Sequence, residues 1–233
     1  MEHGSIPLKQ WFEDRPAAGR ELASLLKQYQ GRQDVLVLGL PRGGVPVASE
    51  ISRLLELPLD VLIVRKLGAP GQPEFALGAI ASGGTTVINE GILAWFRDSP
   101  ALQRQIRVQR LEIERREKLY RGDRAPLRLE NQTVILVDDG AATGASMLAA
   151  IRAARQLDAH KVVVALPVLS VDAYRKLTAE ADDLVCVSVP PAFIAVGEWY
   201  QQFEQTGDEE VTDLLARAAA HAQGSSKASR DIT

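Results

Sequence analysis

Short runs of β-branched and aliphatic residues recur along this chain, and between them lie stretches with apolar residues every three or four positions. The runs predict strands at 35–39, 60–64, 133–137, 161–166 and 184–189, and the periodic stretches predict helices at 17–30, 45–55, 146–157 and 171–181. Strands buried on both faces read as continuous apolar runs, so this alternation predicts an α/β fold built on a doubly wound, mostly parallel five-stranded sheet. No internal repeat is present. Two segments break the pattern. Residues 65–90, rich in Gly, Ala and Pro, read as a flexible loop insertion that could cover a site. Residues 99–120 are densely charged, and Glu112/Arg116 and Glu114/Lys118 stand at i,i+4 spacing, which suits a solvated helix face better than a binding patch. A single domain is expected over 1–221, with a core at 34–189 and a small C-terminal hood at 190–204. Residues 222–233 carry too little apolar surface to pack and are expected to form a disordered tail.

Composition narrows the function. With 233 residues the chain can bury one sizeable core. A net charge of −3 and a pI near 5.7 give no basic footprint, so no nucleic-acid partner is expected and small anions gripped locally fit better. The N-terminal ten residues hold no apolar signal core, and no apolar run reaches membrane-spanning length; a soluble cytoplasmic protein with no membrane contact is the expectation. The single cysteine, Cys186, sits in a strand-like run and reads as packing. His3, His160 and His221 are isolated, which speaks against a zinc site.

The densest chemistry follows the third apolar run, in Val134-Ile-Leu-Val-Asp138-Asp139-Gly140-Ala-Ala142-Thr143-Gly144-Ala145-Ser146. The small residues can turn tightly into the helix that follows, whose free N–H groups and dipole favour a phosphate. Thr143 and Ser146 add hydroxyl donors, and Gly144 permits close backbone approach. Asp138 and Asp139 would repel a phosphate but can accept hydrogen bonds from a vicinal diol or hold Mg²⁺. The alternative is an ordinary strand-to-helix turn with capping acids. A second loop of this kind, Leu38-Gly39-Leu40-Pro41-Arg42-Gly43-Gly44-Val45-Pro46, lies between the first strand and a helix, and in an open parallel sheet two such loops converge at the carboxyl ends of neighbouring strands. The chain has no Gly-x-x-x-x-Gly-Lys-Ser/Thr, no Gly-x-Gly-x-x-Gly and no Gly-x-Ser-x-Gly.

The order of apolar strand, acidic pair and Ala-Thr-Gly-x-Ser resembles the phosphoribosyl pyrophosphate signature of the type I phosphoribosyltransferases. That resemblance implies ribose contacts for Asp138 and Asp139, with Mg²⁺ in reach, and a 5′-phosphate loop at Ala142, Thr143, Gly144, Ala145 and Ser146. It further implies a pyrophosphate loop at Arg42, Gly43 and Gly44. Gly140 departs from the family, which usually has an aliphatic residue there. The Arg65-Lys66 pair is similar to the basic pair after the second strand of several purine enzymes, so Lys66 is a candidate for pyrophosphate charge and Glu74 for Mg²⁺ or a basic side chain; both also suit a solvated surface loop. Phe193, ahead of Val196-Gly197, resembles the residue that stacks on the base in the hood of purine salvage enzymes. Trp199 and Tyr200 could line the same pocket, with Trp199 and Phe203 reading better as packing. Ala142 stands where enzymes for 6-oxopurines usually carry Asp, which disfavours hypoxanthine and guanine. The activity implied is transfer of ribose 5-phosphate from phosphoribosyl pyrophosphate to a nitrogen base in nucleotide salvage, in a homodimer. A non-catalytic sensor of the same donor is the alternative, and a hydrolase in the same pocket a third.

Overall fold

The computed structural model describes residues 11–69, 72–84, 86–88 and 99–228. The core is a wholly parallel sheet of five strands: β1 (Val35–Gly39), β2 (Leu59–Val61), β6 (Thr133–Val137), β7 (Lys161–Val168) and β8 (Asp183–Ser188), laid side by side in the order β2-β1-β6-β7-β8. Alternate residues of each strand enter opposite cores. Val35 and Val37 of β1, Ile135 and Val137 of β6, and Val163 and Ala165 of β7 pack beneath α1 (Arg15–Leu25), α2 (Gly44–Leu55) and α6 (Asp208–Ala228). Leu38, Val134, Leu136, Val164 and Leu166 face α4 (Ala145–Gln156) and α5 (Val171–Thr178). Helices therefore shield both faces, which is the reason the strands read as unbroken apolar runs.

The segment expected to be a flexible insertion is instead strand-forming. β3 (Val64–Ala69), β4 (Gln72–Ala81) and β5 (Thr86–Ile88) make a separate antiparallel sheet, in contact with α4 and with the charged helix α3 (Pro100–Arg121). The single strand expected at 60–64 is thus two, broken at Leu62 and Ile63. The break is fixed by a tertiary contact: Ser82 N–H donates to the Ile63 carbonyl at 2.9 Å, and Ile63 N–H donates to Ser82 Oγ at 3.0 Å. Along α3, Arg116 meets Glu112 at 2.6 Å, as the i,i+4 spacing implies, while Leu102, Ile113 and Tyr120 turn inward. Helix α6 was not foreseen, and it continues to Ala228, into the segment expected to be a disordered tail; residues 229–233 lie outside the described ones. Glu74 falls on β4, and its side chain lies outside the described residues.

Candidate functional site

β1 and β6 are hydrogen-bonded neighbours, so the loops leaving their carboxyl ends rise side by side. The pairing continues one residue past the strands, where Leu40 N–H donates to the Val137 carbonyl at 2.8 Å. The chain then turns through Pro41-Arg42, joined by a cis peptide, and enters α2 as Gly44 N–H donates to the Leu40 carbonyl at 3.0 Å. Two glycines make the close approach possible. A Cβ on Gly44 would sit 2.5 Å from the Val137 carbonyl oxygen and 2.8 Å from Asp138 Cα, and one on Gly43 would meet the Asp139 carboxylate. The acidic pair and the Arg42-Gly43-Gly44 loop are therefore in direct contact.

The two helices at this edge begin differently from most others. Asp14, Ser99 and Ser170 cap α1, α3 and α5 with side-chain oxygens, whereas α2 starts at Gly43 and α4 at Gly144, neither of which offers a side-chain cap. The α4 end thus presents N–H groups and a positive dipole end where an anion can satisfy them, whereas in the first turn of α2 the Gly44 and Val45 N–H groups are already taken by the Leu40 and Arg42 carbonyls and Pro46 has none, so that end offers its dipole and the Arg42 side chain. Gly144 adopts φ +72°, a left-handed conformation that favours glycine. The exposed Ala142 and Thr143 complete the second loop, anchored from below where Ser170 Oγ donates to the Ala142 carbonyl at 2.6 Å. Ala145 N–H donates to Thr143 Oγ1 at 3.4 Å, and the partly buried Ser146 opens the helix behind it.

The carboxylates stand in unlike surroundings. Asp138 Oδ1 accepts from the Asp139 N–H at 2.9 Å, and burial, with the neighbouring Asp139 charge, holds its carboxyl well above the usual range. Burial also raises Asp139, but Arg15 opposes it, with Nε and Nη2 each 2.9 Å from Oδ2. Arg15 lies in the first turn of α1 and was not foreseen as a site residue. Tyr200 was weighed only as a pocket-lining ring, yet its hydroxyl donates to the Asp139 carbonyl at 2.6 Å.

The remaining candidates scatter more widely. Arg42 is turned toward Asp208 at the start of α6, 3.7 Å away, and Asp208 also accepts from Tyr120 Oη at 2.5 Å. That hydrogen bond holds Asp208 below the usual carboxylate range, while burial and the same bond push Tyr120 up to about 12. Lys66 is exposed on β3 and, among the described residues, shares no hydrogen bond or ion pair with the acidic pair; Arg65 faces α3 instead, with Nε 2.8 Å from Gln109 Oε1. Phe193 is partly buried and stacks on Trp199 at 6.3 Å between centroids. The hood closes on the N-terminal segment, where Phe12 N–H donates to the Trp199 carbonyl at 2.7 Å and Gln201 N–H to the Phe12 carbonyl at 2.8 Å. Phe203 packs on Tyr200 and beneath Arg15, in keeping with the packing role expected of it. A Cβ on Gly140 would lie 2.7 Å from Val196 Cγ1, so the family's usual aliphatic residue is replaced by glycine where the hood presses down. Burial raises the Cys186 thiol to about 11, which suits a packing residue and not a nucleophile.

A family model for the phosphoribosyl transferase domain matches residues 12–207. Two curated proteins from strains of Mycobacterium tuberculosis, CDC 1551 and H37Rv, both carrying a provisional phosphoribosyl transferase name, are 46% identical over 208 residues. That match takes in 89% of this chain and 47% of each relative, so the chain spans about half the length of the curated relatives it matches. Among solved structures, TT1426 from Thermus thermophilus superposes with a TM-score of 0.80 at 45% identity, covering 89% of this chain and 98% of that one. Among the described residues, no helix is long and apolar enough to cross a membrane.

Proposed function

The chain belongs to the phosphoribosyl transferase domain family, and from that premise we propose that it transfers ribose 5-phosphate from phosphoribosyl pyrophosphate to a nitrogen base, releasing pyrophosphate. One observation carries this reading: the helix N-terminus behind the 142–146 loop and the Arg42-Gly43-Gly44 turn, on adjacent parallel strands, flank a pair of carboxylates pressed against that turn. Two phosphate-type sites separated by a diol acceptor match a sugar that bears phosphate at one end and pyrophosphate at the other.

In this reading the 142–146 loop holds the 5′-phosphate, Asp138 and Asp139 accept the ribose hydroxyls, and the 42–44 loop receives the pyrophosphate. The bond from the anomeric carbon to pyrophosphate breaks as the bond to the base nitrogen forms, and the carboxylates lie near the positive charge that develops on the sugar. Mg²⁺, when bound, would neutralise charge on the pyrophosphate. Among the described residues no group of three or more His, Cys, Asp or Glu side chains could hold a metal ion, and Asp139 Oδ2 is already engaged by Arg15. The donor set therefore suits a metal that arrives on the ligand's own oxygens, with Asp138 as the carboxylate free to join it. Phe193 is the candidate stacking surface for the base. We also infer a cytoplasmic, homodimeric protein with a role in nucleotide salvage and no nucleic-acid partner.

The test is pyrophosphate release with Mg²⁺ and donor across purine, pyrimidine and other nitrogen bases. Release with at least one base is expected, and Arg42→Ala and Lys66→Ala should then lower turnover by more than they weaken donor binding, because charge on departing pyrophosphate grows in the transition state. Tight donor binding without turnover on any base would replace the transferase with a donor sensor. Absence of donor binding by a folded protein would remove both.

A further inference from the structure

We propose that Arg15 is a positioning residue that selects which oxygen of Asp139 faces the ribose and ties that carboxylate to the hood. This rests on the donor reading of the acidic pair.

The geometry is specific to a guanidinium. Nε and Nη2 both converge on Asp139 Oδ2, each at 2.9 Å, while Nη1 donates to the Glu204 carbonyl at 2.6 Å. The guanidinium carbon lies 4.0 Å from the centroid of the Phe203 ring. With side chains only 11% and 15% exposed, Arg15 and Asp139 form an ion pair largely withdrawn from water, where such a pair is strongly directional. The fork saturates Oδ2 and leaves Oδ1 as the oxygen it does not occupy. The pair cannot drift toward the 42–44 turn, since Gly43 lies directly against it: a Cβ there would be 3.2 Å from Arg15 Nε and in collision with the carboxylate. The other two contacts of Arg15, Phe203 and Glu204, belong to the end of the hood. A single side chain thus joins the donor carboxylate to the cover over the acceptor region, through contacts 124 and 189 positions away in sequence.

Calorimetric titration with phosphoribosyl pyrophosphate and Mg²⁺, on protein checked by thermal melting, tests the assignment. Arg15→Met should weaken binding about tenfold, the scale of losing hydrogen bonds to a charged group. Arg15→Lys keeps the charge but cannot fork, so it should recover part of that loss and bind severalfold more weakly than the wild type; it carries the test alone if the Met variant does not fold. If Arg15 acts through Asp139, Arg15→Lys combined with Asp139→Asn should bind no more weakly than Asp139→Asn alone. Unchanged affinity in the Arg15 variants, or losses that multiply in the double variant, would overturn the proposal while leaving the donor reading intact. A folded wild-type protein that does not bind the donor would overturn both.

Discussion

The two loops that leave β1 and β6 are made by residues lying within a few positions of a strand end, whereas the hood is held by residues from distant parts of the chain. Arg42, Gly43 and Gly44 follow β1 directly, and Asp138 through Ser146 follow β6 directly; pairing of the two strands brings both loops together. The hood has no such scaffold. It is held by a strand-like contact between Phe12 and Tyr200, by Tyr200 on the Asp139 carbonyl, and by Arg15 on Phe203 and Glu204. Two adjacent strand ends thus set the part of the site proposed to grip phosphate, and long-range side-chain packing sets the part that would meet the base. Substitutions in the first region should weaken donor binding, while substitutions in the second should separate the two substrates.

The largest effect is expected at Gly44. A methyl group there meets backbone, not a flexible side chain, so the strand ends must part. Gly44→Ala should cost about 3 kcal/mol of stability, at the upper end of overpacking penalties, and should eliminate the rise in melting temperature caused by donor and Mg²⁺. A variant that melts and binds like the wild type would show that the two loops are not locked by this contact.

Next is Asp138, where function and stability should move in opposite directions. Its carboxyl is raised in the folded state, so the folded protein holds this proton more tightly than the unfolded chain. The stabilisation from that proton is fully present below about pH 4, the ordinary carboxylate value, and is lost as pH rises through the raised one. At neutral pH, where the carboxyl of the unfolded chain is ionised, burial of Asp138 therefore costs the empty protein stability. Asp138→Asn should leave the empty protein at least as stable as the wild type at pH 7 and flatten its pH dependence, while weakening donor binding by about tenfold to a hundredfold. Thermal melts at several pH values, with and without donor, read both signs; a fall in the stability of the empty variant at pH 7 would contradict the assignment.

The smallest effect is expected in the hood, where it tests whether the two regions are separable. Phe193→Ala removes a ring stacked on Trp199 and, if that ring also meets the base, should raise the requirement for base by about 1–3 kcal/mol with donor binding little changed. Equal losses for both ligands would make Phe193 a packing residue that holds the hood over Asp139.

The same contrast explains what the sequence reveals. The bounds of β1 and β6 and the left-handed Gly144 are readable because each is dictated locally, and Gly43 and Gly44 are readable as a turn although the contact that requires them comes from Val137 to Asp139 on the neighbouring strand. The break between β2 and β3 is invisible because Leu62 and Ile63 are fully buried apolar residues with no turn chemistry, and the partner that fixes the break, Ser82, is 19 positions on. β3 to β5 look like a loop because Gly, Ala and Pro lower strand propensity, and antiparallel pairing beside α3 and α4 overrides it. Helix α6 does carry a signal, the acidic first turn of Asp208, Glu209 and Glu210. Arg15 carries none, since a lone arginine near the N-terminus belongs to no motif and its carboxylate partner is 124 residues away.

That separation also orders events during synthesis. A ribosome releases Arg15 before the 42–44 and 142–146 loops, and Tyr200, Phe203 and Glu204 after them. A nascent chain halted before the hood would have its glycine turns and its acidic pair but not the carbonyl and the ring that seat the guanidinium. The residues of both loops are therefore synthesised before the part that orients the Asp139 carboxylate, and the helix that covers their sheet and meets Arg42 comes after both.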